Sequence, residues 1–370
     1  MESEPGGKTL RIVADESANW RIAGLRQIER LIFGLEEMAA QKVAAAPQVV
    51  EVVWNSTLPV ETRQLPDRRY AATVELREIS SSPEENPAGL STHLLVTRNG
   101  LGAVLSQLNG NGPFSPAIEN HGQCRLITDR SKISAAESWF MKSLGKPQDG
   151  LIARYLDRRI STRISRWLIR CHARPIHATF AALLFGLAGC ALVWRGDYLS
   201  VLLGAIMLYG FSVLDGCDGE IARACFLDSA SGRRLDLIVD TFVNVLFLIC
   251  LGFGLGHPSE GVVTALLMSA SEAMFFLIGR QKTSGHADSK SPLYDRHQKM
   301  LGRAGALKIN PRLVHLFAQL TKRDVAWLAF IFLAAIRLPV LMLHLTCLVT
   351  LVVAVVSVSA LIPRSRAPER

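Results

Sequence analysis

The stretch that decides the fold reads LDGCDGEIARACFLDSASGRRLDLIVDTFVN and covers residues 214–244. Apolar runs flank it, LSVLLGAIMLYGFSVL before it and FVNVLFLICLGFGLG at its end, and each is long enough to be most of a membrane span. Ionisable groups at membrane depth are costly, so they usually pair, bind ions or line a polar cavity. Six carboxylates lie in this stretch: Asp215, Asp218, Glu220, Asp228, Asp236 and Asp240.

The spacing of four of these acids predicts a metal site. Asp215 and Asp218 are three positions apart and Asp236 and Asp240 are four apart, so on helices each pair projects from one face. Two such pairs at facing helix ends would form a four-carboxylate cup suited to Mg²⁺ or Mn²⁺. The alternative is a polar loop whose acids cap helices or pair with nearby arginines.

The residues between the two acidic pairs fit phosphate chemistry. Gly219 removes a side chain beside the carboxylates, so a ligand can approach the backbone closely. Arg223 could reach a diphosphate with its planar fork of donors, and Ala222 keeps the neighbouring surface small. Gly232 would permit a tight turn before the second helix. The two remaining acids of the stretch, Glu220 and Asp228, are interpreted as solvated or helix-capping.

The pattern Asp215-x2-Asp218-Gly219-x2-Ala222-Arg223-x8-Gly232-x3-Asp236-x3-Asp240 resembles the motif of the CDP-alcohol phosphotransferase family at every fixed position. Enzymes of this family are membrane proteins that displace CMP from a CDP-linked donor with an alcohol acceptor. The resemblance implies a two-metal site held by the four Asp residues and Asp240 as the base that takes the acceptor's proton. The predicted contacts of the CDP-linked donor are Asp218, Gly219, Ala222, Arg223 and Gly232.

Composition favours a membrane protein. Apolar residues make up 49% of the 370 residues and concentrate after residue 175, and the net charge is +9. Much of the basic excess lies beside hydrophobic segments, which favours an anionic membrane surface and argues against a nucleic-acid partner. The seven cysteines lack the spacing of a zinc site, and no disulfide framework is expected. The first residues lack an apolar core, so no cleavable signal peptide is expected.

Residues 1–140 are predicted to form a soluble α/β domain. Strand patterns occur at residues 10–14, 48–53, 71–76, 94–97 and 124–128, and residues 25–40 have helical periodicity. Strands that alternate with a helix favour a mainly parallel sheet. The order of elements resembles the nucleotidyltransferase domain that precedes the membrane part in bifunctional inositol-phosphate cytidylyltransferase/di-inositol-phosphate-phosphate synthase proteins.

This domain is expected to be degenerate and inactive as a nucleotidyltransferase. Such domains carry a Gly-rich phosphate loop after the first strand, whereas this chain reads VADESANWRIAGLRQIERL there. Asp15 and Glu16 stand where a phosphate would need N–H donors and positive charge. The strand LLVTRNG also ends without the metal-binding Asp expected there. A docking or regulatory role is the alternative to catalysis.

Residues 141–174 form a basic connector with apolar residues at helical spacing. An Arg-rich amphipathic helix of this kind favours the interface of an anionic leaflet, and the alternative is a helix packed on the soluble domain. The phrase KPQDGLIARYLDRRIS within it resembles the connector in family members that use inositol phosphates.

Residues 175–370 are predicted to hold six transmembrane helices, at residues 178–194, 199–214, 235–255, 262–278, 325–338 and 340–362. Ten Lys and Arg residues lie between residues 280 and 323, and three more lie between the second and third spans. The opposite loops carry one basic residue or none. The rule that positive loops stay inside therefore places both termini and the Asp cup in the cytoplasm, as in a bacterial inner membrane.

The sequence also bears on the substrates. The acceptor can be anionic, with Arg233, Arg280 and Arg296 as its predicted contacts, and Glu272 either borders the acceptor cavity or bonds to a neighbouring helix. Two donors stay open: a phosphatidyl donor in phospholipid biosynthesis, or a CDP-inositol-type donor with an inositol-phosphate acceptor. A non-catalytic membrane protein that binds metal and nucleotide is the alternative of another class. The protein is expected to be surrounded by membrane lipid. Whether it forms a homodimer is left open.

Overall fold

The computed structural model describes residues 9–43, 45–55, 58–66, 74–80, 89–108, 122–145, 153–281 and 323–361. The chain divides into two compact units. The first comprises Met1–Gly145 together with Ser165–Ala173 and Glu220–Leu227. The second comprises Lys146–Ile164, Arg174–Gly219 and Asp228–Arg370.

The first unit is built on a four-stranded parallel sheet. Strand β1 (Thr9–Ala14) lies between β4 (Val49–Trp54) and the short β6 (Leu90–Ser91), and β5 (Glu75–Ser80) pairs with the other edge of β4. All three pairings are parallel. Parallel neighbours need a crossover connection, and helix α1 (Gln27–Ala40) lies on the crossover from β1 to β4. The predicted mainly parallel sheet is confirmed.

Two small antiparallel pairs and two further helices complete the first unit. Strands β2 (Arg21–Ile22) and β3 (Leu25–Arg26) form a tight hairpin, and β7 (Leu94–Val96) pairs with β8 (Cys124–Leu126). Helices α2 (Leu101–Leu108) and α3 (Ile133–Ser143) follow β7 and β8 respectively.

Two predicted boundaries in this unit were wrong. The first helix begins at Gln27 rather than at residue 25, because residues 25 and 26 pair with β2. The strand predicted at 71–76 runs instead over Glu75–Ser80, and residues 71–73 lie outside the described residues. The sheet and α1 share an apolar core, whose fully buried members include Ile12, Ile28, Leu35, Val50, Val52 and Leu90.

The second unit is helical. Its principal helices are α5 (Pro175–Trp194), α6 (Tyr198–Cys225), α7 (Ala230–Gly254), α8 (Pro258–Gln281), α9 (Arg323–Ala335) and α10 (Pro339–Leu361). Among the described residues, α5, α6 and α7 are long and apolar enough to cross a membrane. A further apolar stretch covers Pro339–Val355. These helices fit a membrane protein, and three of the six predicted spans are supported by length and apolarity within the described part of the chain.

Small residues allow close packing between α5 and α6. A Cβ atom added to Gly189 of α5 would lie 2.7 Å from the Leu208 side chain, and one added to Gly204 of α6 would lie 2.9 Å from the Gly189 carbonyl oxygen. Helices in lipid lack a hydrophobic force between them and gain from such close backbone approach. The core of this unit includes Phe211, Val243, Phe247, Leu251, Phe330 and Leu343.

The connector forms a helix with two environments. A π-helical turn at Ala153–Asp157 leads into α4 (Arg158–Arg170). Residues 165–173 belong to the first unit, where Ile169 is buried, whereas Trp167 is 63% exposed. The end of α4 therefore packs on the α/β domain, in agreement with the alternative interpretation of the connector.

Candidate functional site

Helices α6 and α7 position the acidic motif. Asp215 and Asp218 lie on α6, and Asp236 and Asp240 lie on α7. Ser229 caps the start of α7, because its Oγ accepts a hydrogen bond from the Gly232 amide at 2.9 Å. Gly232 thus lies inside the first helical turn, and the predicted tight turn at this glycine was wrong.

Three of the four carboxylates converge. One oxygen from each of Asp215, Asp236 and Asp240 lies within 4.8 Å of the others. We call these three residues the carboxylate cluster. Asp215 is only 9% exposed. Oδ1 of Asp236 is buried and has no hydrogen-bond partner among the described residues. A buried carboxylate oxygen without a donor is unusual in a native protein and is well explained by a cation ligand.

The donor set of the carboxylate cluster fits Mg²⁺ or Mn²⁺. Hard divalent cations prefer oxygen ligands, and like-charged carboxylates placed this close repel one another unless a cation offsets their charge. The unpartnered oxygen of Asp236 belongs to this group of acids. The cluster can therefore hold a divalent cation between α6 and α7.

Asp218 is the fourth acid of the predicted cup. It is 7% exposed, and its Oδ2 accepts a 2.6 Å hydrogen bond from the hydroxyl of Thr179 on α5. Asp218 is absent from the three-residue cluster formed by the described residues. Its position on α6 keeps it one helical turn from Asp215, but its carboxylate is oriented by the Thr179 hydroxyl.

Arg323 at the start of α9 is the site residue that the sequence did not predict. Its guanidinium donates to Asp215 Oδ2 and to Asp240 Oδ1, so one side chain joins the acids of two helices. In the sequence, Arg323 is the last of a basic run before an apolar segment and contributes only to the predicted topology. It lies 83 residues from Asp240 and 108 from Asp215, so no local pattern connects them.

The predicted donor-binding residues near the end of α6 divide between the units. Gly219 is half-buried in the second unit, while Ala222 and Arg223 belong to the first. Within that unit, Arg223 Nε donates to the Leu144 carbonyl at 3.1 Å.

The predicted acceptor contacts are only partly described. Arg233 lies exposed in the first turn of α7. Arg296 and the side chain of Arg280 lie outside the described residues. Glu272 on α8 accepts a 2.8 Å hydrogen bond from Thr241 on α7, which agrees with the helix-bonding alternative for this residue.

The interpretation of Glu220 as a solvated or capping acid was wrong. Glu220 is fully buried and accepts a 2.6 Å hydrogen bond from the Ser165 hydroxyl. The helix α6 continues past it to Cys225. Asp228 is exposed, as predicted, but Ser229 rather than Asp228 caps α7.

The loop after β1 is organised around Asp15. Its Oδ1 accepts from the Ser17 amide at 2.8 Å, and its Oδ2 lies 2.8 Å from Nε2 of His93. The Ser17 hydroxyl in turn bonds to the Thr92 hydroxyl at 2.7 Å. In an open parallel sheet, ligands bind beyond the carboxyl ends of the strands. At that edge of β1 and β6, Asp15, Ser17, Thr92 and His93 make these contacts with one another.

Comparison with known proteins supports the identification of the acidic motif. The sequence model of the CDP-alcohol phosphatidyltransferase family matches residues 174–293, which include all four motif aspartates. Residues 174–293 are therefore similar in sequence to this family.

Curated relatives carry the name "Bifunctional IPC transferase and DIPP synthase". The protein of Archaeoglobus fulgidus is 31% identical over 219 residues, which cover 57% of this chain and 40% of that protein. The protein of Aquifex aeolicus is 38% identical over 142 residues, or 38% of this chain and 32% of the relative. That of Thermococcus kodakarensis is 36% identical over 126 residues, or 34% and 28%. The matches thus span less than half the length of these relatives.

Proposed function

We propose that this chain is an integral membrane CDP-alcohol phosphotransferase. It transfers a phosphoalcohol or phosphatidyl group from a CDP-linked donor to an alcohol acceptor and releases CMP. The observation that carries the proposal is the convergence of Asp215, Asp236 and Asp240 from the two helices that bear the motif. The family match over residues 174–293 supports the same activity.

The proposed metal site uses the carboxylate cluster, with Asp218 as a fourth acid of the motif one turn along α6. Bound Mg²⁺ or Mn²⁺, two ions in the full site, would neutralise charge on the donor diphosphate and on the departing CMP. Arg323 offsets the charge of Asp215 and Asp240 from the side of α9. The protein thus presents both anionic and cationic groups at one place, as a phosphate-transfer site requires.

The proposed chemistry is one in-line displacement at phosphorus. The acceptor oxygen forms a bond to the β-phosphorus while the bond from that phosphorus to the CMP oxygen breaks, and CMP leaves with the electron pair. Asp240 accepts the proton of the acceptor hydroxyl. A carboxylate is a weak base, so positioning and charge stabilisation carry most of the rate enhancement. Donor binding is assigned to Asp218, Gly219, Ala222, Arg223 and Gly232.

For the acceptor and the donor, we propose chemical classes. Arg233, Arg280 and Arg296 are the proposed contacts of an anionic acceptor. The names of the relatives favour the CDP-inositol-type donor with an inositol-phosphate acceptor over a phosphatidyl donor. A homodimer remains compatible with either, and membrane lipid surrounds the helices.

Release of CMP tests the function directly. We expect detergent-solubilised protein to release CMP when it is given Mg²⁺, one donor of a panel that includes CDP-inositol and CDP-diacylglycerol, and the matching alcohol. Chelation of the metal should stop the release. Absence of CMP release with every donor and acceptor would reject the transferase and leave the non-catalytic metal-binding alternative.

The α/β domain is proposed to be inactive as a nucleotidyltransferase, with residues 1–140 as its core, 141–174 as connector and 175–370 as the membrane domain. A triphosphate site needs N–H donors and positive charge, and the loop after β1 is instead occupied by the Asp15–His93 pair. The first unit also includes residues beyond 145, so the full chain is the proper sample.

In the same assay, CTP with Mg²⁺ and a panel of polyol phosphates should give no pyrophosphate above the rate without protein. Steady pyrophosphate release that depends on one polyol phosphate would contradict the inactive assignment. It would make the chain bifunctional.

The six-span arrangement is proposed with both termini and the Asp site in the cytoplasm, because basic residues concentrate in alternate connections. In a cysteine-free background, a Ser289→Cys variant should resist a membrane-impermeant thiol reagent in intact cells and react after permeabilisation. Arg195→Cys, at the exposed connection between α5 and α6, is the control and should react in intact cells. Labelling of Ser289→Cys in intact cells would show that the orientation is the reverse of the proposed one.

A further inference from the structure

The last turns of α6 are part of the first unit, although α6 begins in the second. The segment Glu220–Leu227, which we call the motif tail, carries Ala222 and Arg223 of the family pattern. Four of its eight residues are buried. Its buried members are Glu220, Ile221 and Ala224, each fully buried, and Phe226, which is 6% exposed.

A buried arginine of α1 fixes the main chain of the motif tail. Arg30 is 4% exposed and donates to the Ala224 carbonyl at 3.0 Å and to the Ile22 carbonyl. Its guanidinium also lies 4.1 Å from the centre of the Phe140 ring. Burial lowers the pKa of Arg30 to about 10, so the group stays charged at neutral pH. A charged donor bonded to a main-chain carbonyl is a strong hydrogen bond.

Phe226 fixes the end of the motif tail. Its φ is 53°, a left-handed conformation that a bulky residue rarely adopts and that persists only where the surroundings determine it. Its ring lies 6.1 Å from that of Phe33 and 5.0 Å from the Arg98 guanidinium. Together with Leu25, these two phenylalanines form a small apolar cluster.

Helix α3 connects the motif tail to the end of α4. Glu137 accepts hydrogen bonds from the Ala23 amide at 3.2 Å and from Arg166 at 2.9 Å and Arg170 at 3.1 Å. Just beyond the end of α3, the Leu144 carbonyl accepts a hydrogen bond from Arg223 Nε at 3.1 Å, which joins this side chain to the end of α3.

The end of α4 also contacts the motif tail directly. The Ser165 hydroxyl donates to Glu220 at 2.6 Å. Gly24, with φ of +82°, has no room for a Cβ, which would lie 2.7 Å from Ile169 and 3.3 Å from Cys225. The close approach of the β2–β3 hairpin to Ile169 and Cys225 therefore depends on this glycine.

We propose that the α/β domain acts as a clamp on the motif tail and so positions Arg223 for the diphosphate of the CDP-linked donor. The domain then contributes to the transfer without chemistry of its own. Arg30, Phe226 and Ser165 are positioning residues in this proposal, since none of them contacts the donor. The inference rests on the proposed transferase function and gives the domain a role in donor binding.

The test compares Phe226→Ala and Ser165→Ala in the full-length detergent-solubilised protein. If either variant lowers to about a tenth the fraction of molecules in which the α/β domain holds the motif tail, the donor KM should rise about tenfold. The kcat at saturating donor should stay near that of the wild type. Phe226→Leu keeps apolar bulk and should restore most of the donor affinity. Arg11→Gln removes an exposed ion pair to Glu51 elsewhere in the same domain and should change neither constant.

A second measurement, the rate of Cys225 alkylation, reports on the clamp independently of enzymatic activity. Cys225 in the motif tail donates to the Ala23 carbonyl at 3.6 Å, so its alkylation, measured by peptide mass spectrometry, should accelerate in Phe226→Ala and Ser165→Ala but not in Arg11→Gln. Faster alkylation with an unchanged donor KM would overturn the proposal. Unchanged alkylation in both variants would overturn it as well. A wild-type protein that releases no CMP from any donor would instead reject the transferase, and this inference with it.

Discussion

Replacement of Asp240 by Asn is expected to reduce transfer by about 10²- to 10⁴-fold, the usual contribution of a general base. The substitution removes the proton acceptor but keeps a neutral side-chain oxygen that can still serve as a metal ligand. Metal-dependent binding of the donor should therefore be largely retained. CMP release measures the turnover, and equilibrium binding of labelled donor at several Mn²⁺ concentrations measures the retained affinity.

The matched control is Asp228→Asn, which makes the same chemical change in an exposed acid of the same stretch. It should leave turnover and donor binding as in the wild type. Turnover near the wild-type value in Asp240→Asn would exclude Asp240 as the base. Loss of donor binding at every Mn²⁺ concentration would show that Asp240 serves mainly to hold the metal.

The acidic motif is readable from the sequence because its spacing is local. Residues three or four positions apart share a helix face, so the spacing of Asp236 and Asp240 is enough to pair them. The convergence of Asp236, Asp240 and Asp215 follows once α6 and α7 pack together. The turn assigned to Gly232 failed for a local reason too: Ser229 caps a helix that already begins at Ala230.

The role of Arg323 could not be predicted from local patterns. It reaches Asp215 and Asp240 only because α9 starts beside them, and that placement depends on tertiary packing. Asp218 shows the opposite case, in which a predicted neighbour is not the contact that the structure shows. Its spacing placed it with Asp215, yet a hydroxyl on α5 takes up one of its oxygens. Helical periodicity gives the face of a residue but not the neighbour that faces it.

In the α/β domain, apolar patterning predicted β1, β4 and α1 close to their observed bounds. The strands predicted at 94–97 and 124–128 lie outside the parallel sheet and form an antiparallel pair, because pairing partners depend on tertiary packing. The burial of Glu220 was not predictable, because the local sequence gives no sign of a partner such as Ser165, 55 positions earlier. The inclusion of residues 220–227 in the first unit is likewise a long-range property. The middle of the sequence motif thus lies in a compact unit with the N-terminal part of the chain.

Replacement of Asp236 by Asn is expected to have opposite effects on activity and on stability. Loss of a metal-binding carboxylate should remove several kcal/mol of transition-state stabilisation, which corresponds to a reduction in transfer of about 10³-fold. In EDTA, however, the melting temperature should rise, because Asp236 carries a buried oxygen without a partner among the described residues, next to two other acids. Functional sites commonly retain groups that destabilise the fold.

The measurement is thermal unfolding of the purified protein in detergent, with EDTA and then with increasing Mn²⁺, alongside CMP release. Binding to the folded state stabilises the wild type in proportion to metal occupancy, so Asp236→Asn should show a smaller rise in melting temperature with Mn²⁺. Asp228→Asn, again the control, should match the wild type in both series. A lower melting temperature in EDTA for Asp236→Asn would show that Asp236 stabilises the fold itself. The carboxylate cluster would then be a structural network in which metal binding is not the reason for the placement of Asp236.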